Sequence, residues 1–547
     1  MTAAIGNASL RKSASGKARQ LWNRVDGLWF ELARRQRLAV FVLGALPLLI
    51  RVSVLHWYPI PQPKVADEFS HLLIADTFAS GRIVNPTHPF WRHFETLYEF
   101  QRPVYASIYT PGQGLVLAAG QVIAGHPWWG VWASCGLMCA AIGWMLFAWV
   151  SPGWALLGGL LSATQLGITS YWMNSYWGGS MTAFGGALAL GALPRLLNSR
   201  RPALAFAFAL GLAIVFSIRP YEGALFACAL GIILVVGLMR GLLRARAQGS
   251  GWPGLVRGTF PVMLPITAVI LIALAAFAYY NFRVTGSPWL MPYQLSQTMY
   301  GVPRGLTFQA PPPQPPGLTQ DQLAVYRWQA RSQVRNGTKW RAFASFYLGG
   351  PLIAALCFLP LAWREPRMYL LAAVCIFVGF GASLYWYYVN HYLAPLTGTV
   401  FGLVVLALRQ LWNWRVLPSL VRHSAVVTLL LLHLVINFRD KFIVKPVEVL
   451  GSRVERYAVS RAKFESQLTN APGRHLVFVR ANPGHPYDAG WIYNRADIDK
   501  AKVVWAREID PQEDVRLIRY FAGRTVWLLE VDAKPIRLTK LSTMPPG

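Results

Sequence analysis

Twelve apolar runs of 15 to 23 residues recur along the chain, at 38–56, 111–125, 128–150, 153–170, 179–197, 202–218, 223–243, 260–282, 346–363, 368–385, 392–411 and 422–438. An α-helix rises ~1.5 Å per residue, so ~20 apolar residues cross a ~30 Å hydrocarbon core. Inside lipid every backbone polar group must be bonded within the protein, which helices achieve by themselves. The chain is therefore predicted to be a polytopic α-helical membrane protein with about 11–12 transmembrane helices. Its balance of 54% apolar to 14% charged residues belongs to the same class.

The formal charge of +29 does not imply a nucleic-acid partner, because most Lys and Arg residues lie in short connections between apolar runs. There they set orientation. Residues 1–37 form a basic arm carrying Arg11, Lys12, Lys17, Arg19, Arg24, Arg34, Arg35 and Arg37, placed in the cytoplasm, and no cleavable signal pattern precedes the first run. Basic clusters at Arg195/Arg200/Arg201, Arg240/Arg244/Arg246, Arg364/Arg367 and Arg409/Arg415/Arg422 mark the same side. Segments 57–110, 171–178, 219–222, 283–345, 386–391 and everything after 438 then face outward. Three runs, 111–125, 128–150 and 153–170, lie between two outward segments, so one does not fully cross. The shortest, 111–125, reaches only ~22 Å, and 153–170 is the alternative. All five cysteines lie inside apolar runs as packing residues, with no disulfide framework.

Three regions follow: the basic arm 1–37, a transmembrane domain 38–438 with external loops 57–110 and 283–345, and a soluble domain 439–547. The second loop holds "APPPQPPG" at 310–317, a stiff connector. A basic amphipathic helix over 318–340 is predicted after it, and the loop reads either as a lid or as a linker. In the last region the strand-like runs 475–480, 502–507 and 524–531, with a helix over 511–523, predict a small α/β extramembrane domain.

Ionisable chemistry is concentrated just after the first run. Residues 56–110 contain five of the 23 acids (Asp67, Glu68, Asp76, Glu95, Glu99) and four of the ten histidines (His56, His71, His88, His93). A short helix over 68–80 is predicted, with Asp67 as its N-cap and Gly81 beyond its end. Capping needs one short polar residue and explains neither Glu68 nor the surrounding groups. Carboxylates at a membrane surface can deprotonate an acceptor hydroxyl or bind a divalent metal, while Arg or His can neutralise a phosphate. No ligand spacing here is diagnostic of a metal.

"VADEFSH" (65–71), "QRPVYASIYTPGQGLVLAAGQVIAG" (101–125) and "NHYLAP" (390–395) together resemble the GT-C glycosyltransferases over residues 38–411, most closely the bacterial protein O-mannosyltransferase and aminoarabinose transferase type. The resemblance implies a sugar transferred from a polyprenyl-phosphate carrier to an acceptor hydroxyl on the external, periplasmic face of a bacterial inner membrane, with inversion. It makes Asp67 the catalytic acid of the first external loop, with Glu68 beside it. Where relatives carry a Lys-Pro-Pro-like motif this chain has Tyr109-Thr110-Pro111-Gly112, without Lys, so Arg102 is the nearby candidate for the carrier phosphate. His391 and Tyr392 stand where the family recognises its carrier.

Arg219 and Glu222 of "IRPYEG" are either a local ion pair or a phosphate grip. His88 is a further candidate contact for the carrier. Tyr171, Trp172, Tyr176 and Trp177 are either interfacial anchors or sugar platforms. Expected partners are the lipid-linked sugar and membrane lipids, with the acceptor open. A transporter or flippase is the rival reading, against which stands the scarcity of ionisable residues inside the runs. A non-catalytic polysaccharide-binding protein working through the last domain is the third.

Overall fold

A computed structural model of the chain describes residues 16–439 and 452–541, apart from 169, 250–251 and 487–489. The first part of the basic arm, with Arg11 and Lys12, and the start of the soluble domain lie outside the described residues.

Among the described residues eight helices are long and apolar enough to cross a membrane: Gln36–Ser53, Trp128–Trp149, Gly179–Ser199, Pro220–Ala247, Thr259–Thr285, Pro366–Ser383, Asn390–Asn413 and Ser419–Phe438. Pro202–Ile218 is a shorter apolar helix. Besides Pro202–Ile218, three of the twelve runs fall short of a full span. Pro111–Ala124 has 14 residues, or ~21 Å. Pro152–Ser162 passes into a π-turn at Ala163–Gly167. The run at 346–363 is divided between Gly349–Leu356 and a 3₁₀ turn at Leu359–Ala362. Shortness thus affects both runs that were open at the sequence level, and a third that was not.

Asn390–Asn413 is the most enclosed of the eight helices and the axis of the bundle. Its first turn, a 3₁₀ segment at Asn390–Leu396, is set by Gly186 of the facing helix: a Cβ there would lie 2.4 Å from the Pro395 carbonyl oxygen. The clustered arginines lie together at one end of the bundle. Arg195 donates to the Trp144 carbonyl, Arg367 to that of Trp149, and Arg409 pairs with Glu365.

At the other end sit the long loops. The first carries the helix Ala66–Ala79 and a small hairpin, β1 (Glu99–Phe100) against β2 (Ala106–Ser107). The second carries helices Pro292–Tyr300, Gln320–Arg331 and Asn336–Tyr347, so the single amphipathic helix expected over 318–340 is two, separated by extended residues.

The last domain is a four-stranded sheet, β3 (His475–Arg480), β4 (Val503–Arg507), β5 (Thr525–Glu530) and β6 (Arg537–Lys540), in the order β4-β3-β5-β6. β3 runs parallel to β4 and β5, and β6 is antiparallel to β5. Pro511–Tyr520 is its crossover helix, capped by Asp510. The domain is fastened to the first loop: Phe69 stacks on Tyr493 at 4.3 Å, and Ala496 N donates to Asp76.

Candidate active site

The helix Ala66–Ala79 begins two residues earlier than its sequence suggests, with Val65 as N-cap. Asp67 is therefore inside the first turn, and its carboxylate is free for another partner. Tyr109 supplies it, donating its hydroxyl to Asp67 Oδ1 at 2.5 Å. Tyr109 is fixed in turn through its backbone: its N–H donates to Ser107 Oγ, and its carbonyl accepts from the Tyr280 hydroxyl.

The neighbouring segment is held against this pair by a close approach. A Cβ on Gly112 would lie 2.5 Å from Ser217 Oγ and 2.6 Å from the Ile218 side chain, and Thr110 Oγ1 donates to the Ile218 carbonyl. The next residue is Arg219. Its guanidinium forks onto Glu222, Nε to Oε2 at 3.2 Å and Nη2 to Oε1 at 2.8 Å, while its carbon lies 3.8 Å from the centre of the Tyr392 ring. The local ion pair and the aromatic contact thus coexist. His391 accepts or donates at Nδ1 with the Tyr171 hydroxyl, 3.2 Å away.

These groups surround one cavity of about 340 Å³. Asp67, Tyr109, Arg219, Glu222, His391 and Tyr392 all line it, so four segments far apart in sequence meet there. Trp177 joins them from the loop at 171–178, placing one member of that aromatic group beside the charged residues. The second long loop closes the far wall with Tyr293 and Trp328, and Trp386 stands next to them. That loop is pinned where it crosses: Trp386 N donates to the Gly305 carbonyl, and Lys339 Nζ donates to the Ser383 and Tyr385 carbonyls. It covers the site, as a lid does.

Three sequence candidates lie elsewhere. Glu68 is one residue from Asp67, and consecutive helical residues point about 100° apart. Its carboxylate accepts from Lys64 N at 2.7 Å and Tyr176 N at 3.0 Å, stitching the first loop to the 171–178 loop. Arg102 is exposed and stacks 3.9 Å over Trp91. His88 meets Asp499 of the last domain at 3.1 Å. None of the three lines the cavity. Arg51, near the end of the first run, donates to the Tyr58 and Pro59 carbonyls and to Asn174.

The electrostatics follow from burial. Desolvation raises the Asp67 carboxyl above its ordinary value, opposed by the Tyr109 hydrogen bond and the charge of Arg219. Desolvation raises Glu68 to about 7 even though two backbone N–H groups favour its charged form. His71, one turn beyond Asp67, was not singled out by the sequence. It lines the cavity, stacks on Tyr109 at 4.5 Å, and is pushed down to about 3 by desolvation and by Arg219, so it is a neutral imidazole. Burial alone would lower Arg219, but Glu222 and the surrounding tyrosines hold it above its ordinary value. Among the described residues no group of three or more His, Cys, Asp or Glu is arranged to hold a metal ion.

No family model matches the chain, and no curated protein matches it. Among solved structures, the apo form of ArnT from Cupriavidus metallidurans is similar over 89% of this chain and 92% of its own, with 15% identity and a TM-score of 0.49. This is a whole-chain similarity. The Archaeoglobus fulgidus oligosaccharyltransferase tethered to an acceptor peptide is similar over 90% of this chain and 69% of its own, at 11% identity and a TM-score of 0.42. The same archaeal enzyme in complex with an inhibitory peptide and a dolichol-phosphate gives 92% and 69% coverage, again at 11% and 0.42. ArnT and the archaeal enzyme are both GT-C glycosyltransferases.

Proposed function

We propose that this protein is a membrane glycosyltransferase of the GT-C kind, which moves a sugar from a polyprenyl-phosphate carrier to an acceptor hydroxyl on the external face of the membrane. The observation that carries this reading is the convergence of Asp67, Tyr109, Arg219, Glu222, His391 and Tyr392 on one cavity, at the end of the bundle opposite the clustered arginines. A transporter would place such groups along a path near the bilayer midplane. In the proposed arrangement they meet a lipid head group and a water-borne acceptor at one end of the bundle.

In the reaction, Asp67 accepts the proton of the acceptor hydroxyl. The hydroxyl oxygen attacks the anomeric carbon, and the bond from that carbon to the phosphate oxygen breaks, its electron pair leaving with the phosphate. A single displacement of this kind inverts the anomeric centre. Burial makes Asp67 a stronger base than a solvated aspartate, which suits proton removal near neutral pH. Arg219 offers the departing phosphate a planar cation, held ready by Glu222. The loops enclosing the cavity exclude water, which would otherwise compete as acceptor, and hold both reactants together.

The test uses purified protein in liposomes with radiolabelled polyprenyl-phosphate sugars and a set of hydroxyl acceptors. Label leaves the lipid and appears on an acceptor if the reading holds. Intact, folded protein that releases label from none of the carriers contradicts it.

A further inference from the structure

Arg219 is already engaged. Its Nε and Nη2 are both taken up by Glu222, which also matches its charge, and Nη1 alone has no partner among the described residues. Arg304, the other cation lining the cavity, gives its Nη2 to the carbonyl of exposed Gln309. A phosphate that leaves a sugar keeps the electron pair of the broken bond and so gains one negative charge. One nitrogen of a neutralised ion pair does not satisfy such a group, and further donors are needed beside it.

Two tyrosine hydroxyls stand there. Tyr293, on the helix Pro292–Tyr300 of the second long loop, packs edge-on against the Tyr109 ring at 5.4 Å. Tyr385, two residues past Pro366–Ser383, packs edge-on at 5.7 Å against Tyr392, the ring that carries Arg219 on its face. The charge of Arg219 acts on both hydroxyls, and that of Tyr293 also feels Asp67 and Glu222. Neither hydroxyl has a hydrogen-bond partner among the described residues. Unlike the Tyr388 hydroxyl, neither is sealed in, so both open on the cavity they line. Burial pushes both above the ordinary phenol value, Tyr385 to about 12, so at neutral pH each keeps its proton. Beside a guanidinium a phenol turns its oxygen lone pairs to the cation and its O–H outward, as an anion requires. The two residues are also tied together: Leu306 of the second long loop bridges to Tyr385, and Thr307 N donates to the Leu384 carbonyl.

Taking the transferase reading as its basis, we propose that the hydroxyls of Tyr293 and Tyr385 complete the phosphate grip of Arg219, donating to the oxygens of the carrier phosphate as it departs. As the bond from the anomeric carbon to the phosphate oxygen breaks, its electron pair passes to that oxygen. Both phenol protons stay on their own oxygens and stabilise the added charge by hydrogen bonding. These bonds are stronger to the departing dianion than to the bound monoanionic diester, so they act on kcat more than on the KM of the donor. The second long loop thereby takes part in the reaction as well as covering it.

Tyr293→Phe and Tyr385→Phe, made in the full-length protein, keep the rings and remove the hydroxyls. Each is expected to lower kcat by about 10²-fold, as loss of one preorganised donor does, with the donor KM within a few-fold and Tm level. The second readout is inhibition by free short-chain polyprenyl phosphate, which carries the charge of the departing group, and its Ki is expected to rise about ten-fold in each variant. A hydroxyl that serves only the acceptor, or only packing, leaves this Ki where it was. An unchanged Ki in either variant, or a kcat within a few-fold of wild type, overturns the proposal.

If the wild type turns over no donor, the transferase reading fails, and binding decides the anion site separately. Short-chain polyprenyl phosphate then raises Tm of the wild type, the uncharged polyprenol does not, and the double variant Tyr293→Phe/Tyr385→Phe loses the shift. Equal shifts with phosphate and alcohol, equal shifts in wild type and double variant, or no shift at all overturn the site.

Discussion

Tyr109 donates its hydroxyl to Asp67 across 2.5 Å, and behind it the His71 ring stacks on the Tyr109 face. Two residues 42 apart in sequence thereby set the charge of the group read as the base. The bond favours the ionised carboxylate against the desolvation that raises it.

Tyr109→Phe keeps the stack and removes the bond. A hydrogen bond to the charged form favours it, so losing the bond is expected to raise the Asp67 carboxyl further. The acid limb of the kcat/KM profile for sugar transfer then moves to higher pH, and the plateau above it is largely retained. A profile that falls uniformly at every pH contradicts the assignment.

Glu68 gives a stability signature separate from activity. Its carboxyl lies at about 7 in the folded protein against an ordinary 4.5, so between those values the native state binds a proton that the unfolded chain has released. Stability is therefore expected to fall as pH rises from about 4.5 to about 7, then level off. Glu68→Gln removes this slope in thermal melts, and it leaves transfer measurable, because the side chain points at Lys64 N and Tyr176 N and away from the cavity. Loss of transfer equal to that of an Asp67 variant contradicts this.

The ion pair of Arg219 and Glu222 has side chains only 13% and 2% exposed. Removing one partner leaves an uncompensated charge, so Arg219→Ala is expected to destabilise by about 3–5 kcal/mol and to abolish transfer. Adding Glu222→Gln restores much of the stability and none of the activity. Recovery of transfer in the double variant would show that Arg219 acts only as a structural counter-ion.

The spans and the sheet were legible in the sequence because hydropathy and alternation are local properties. The runs at 38–56, 128–150 and 179–197 lie within a few residues of observed helices, and β3 covers its expected residues 475–480. β6 went unread, since its solvated Arg537–Lys540 carries no apolar run. Of the site, the connections between the apolar runs were legible, which is why Asp67, Arg219, Glu222, His391 and Tyr392 stood out as candidates. Side-chain direction was not legible. Glu68 and Arg102 stand near Asp67 and Tyr109 in sequence, and His88 shares their loop, yet each turns to another partner. Helical spacing from Asp67 could have pointed to His71, four residues on and so on the same face. Nothing local marks Tyr293 or Trp328, which reach the cavity only through the crossing of the second loop, or Trp386, which lies beside it.

In the proposed reaction Asp67 takes the acceptor proton. Asp67→Asn is nearly isosteric and still accepts from the Tyr109 hydroxyl, so the fold is expected to persist with an unchanged Tm. The decisive measurement is the rate at which this variant, in liposomes, releases radiolabelled sugar from a polyprenyl-phosphate donor that the wild type uses. A loss of about 10²–10⁴-fold in kcat is expected, the range for removal of a general base. Transfer within a few-fold of wild type by the folded variant would contradict it.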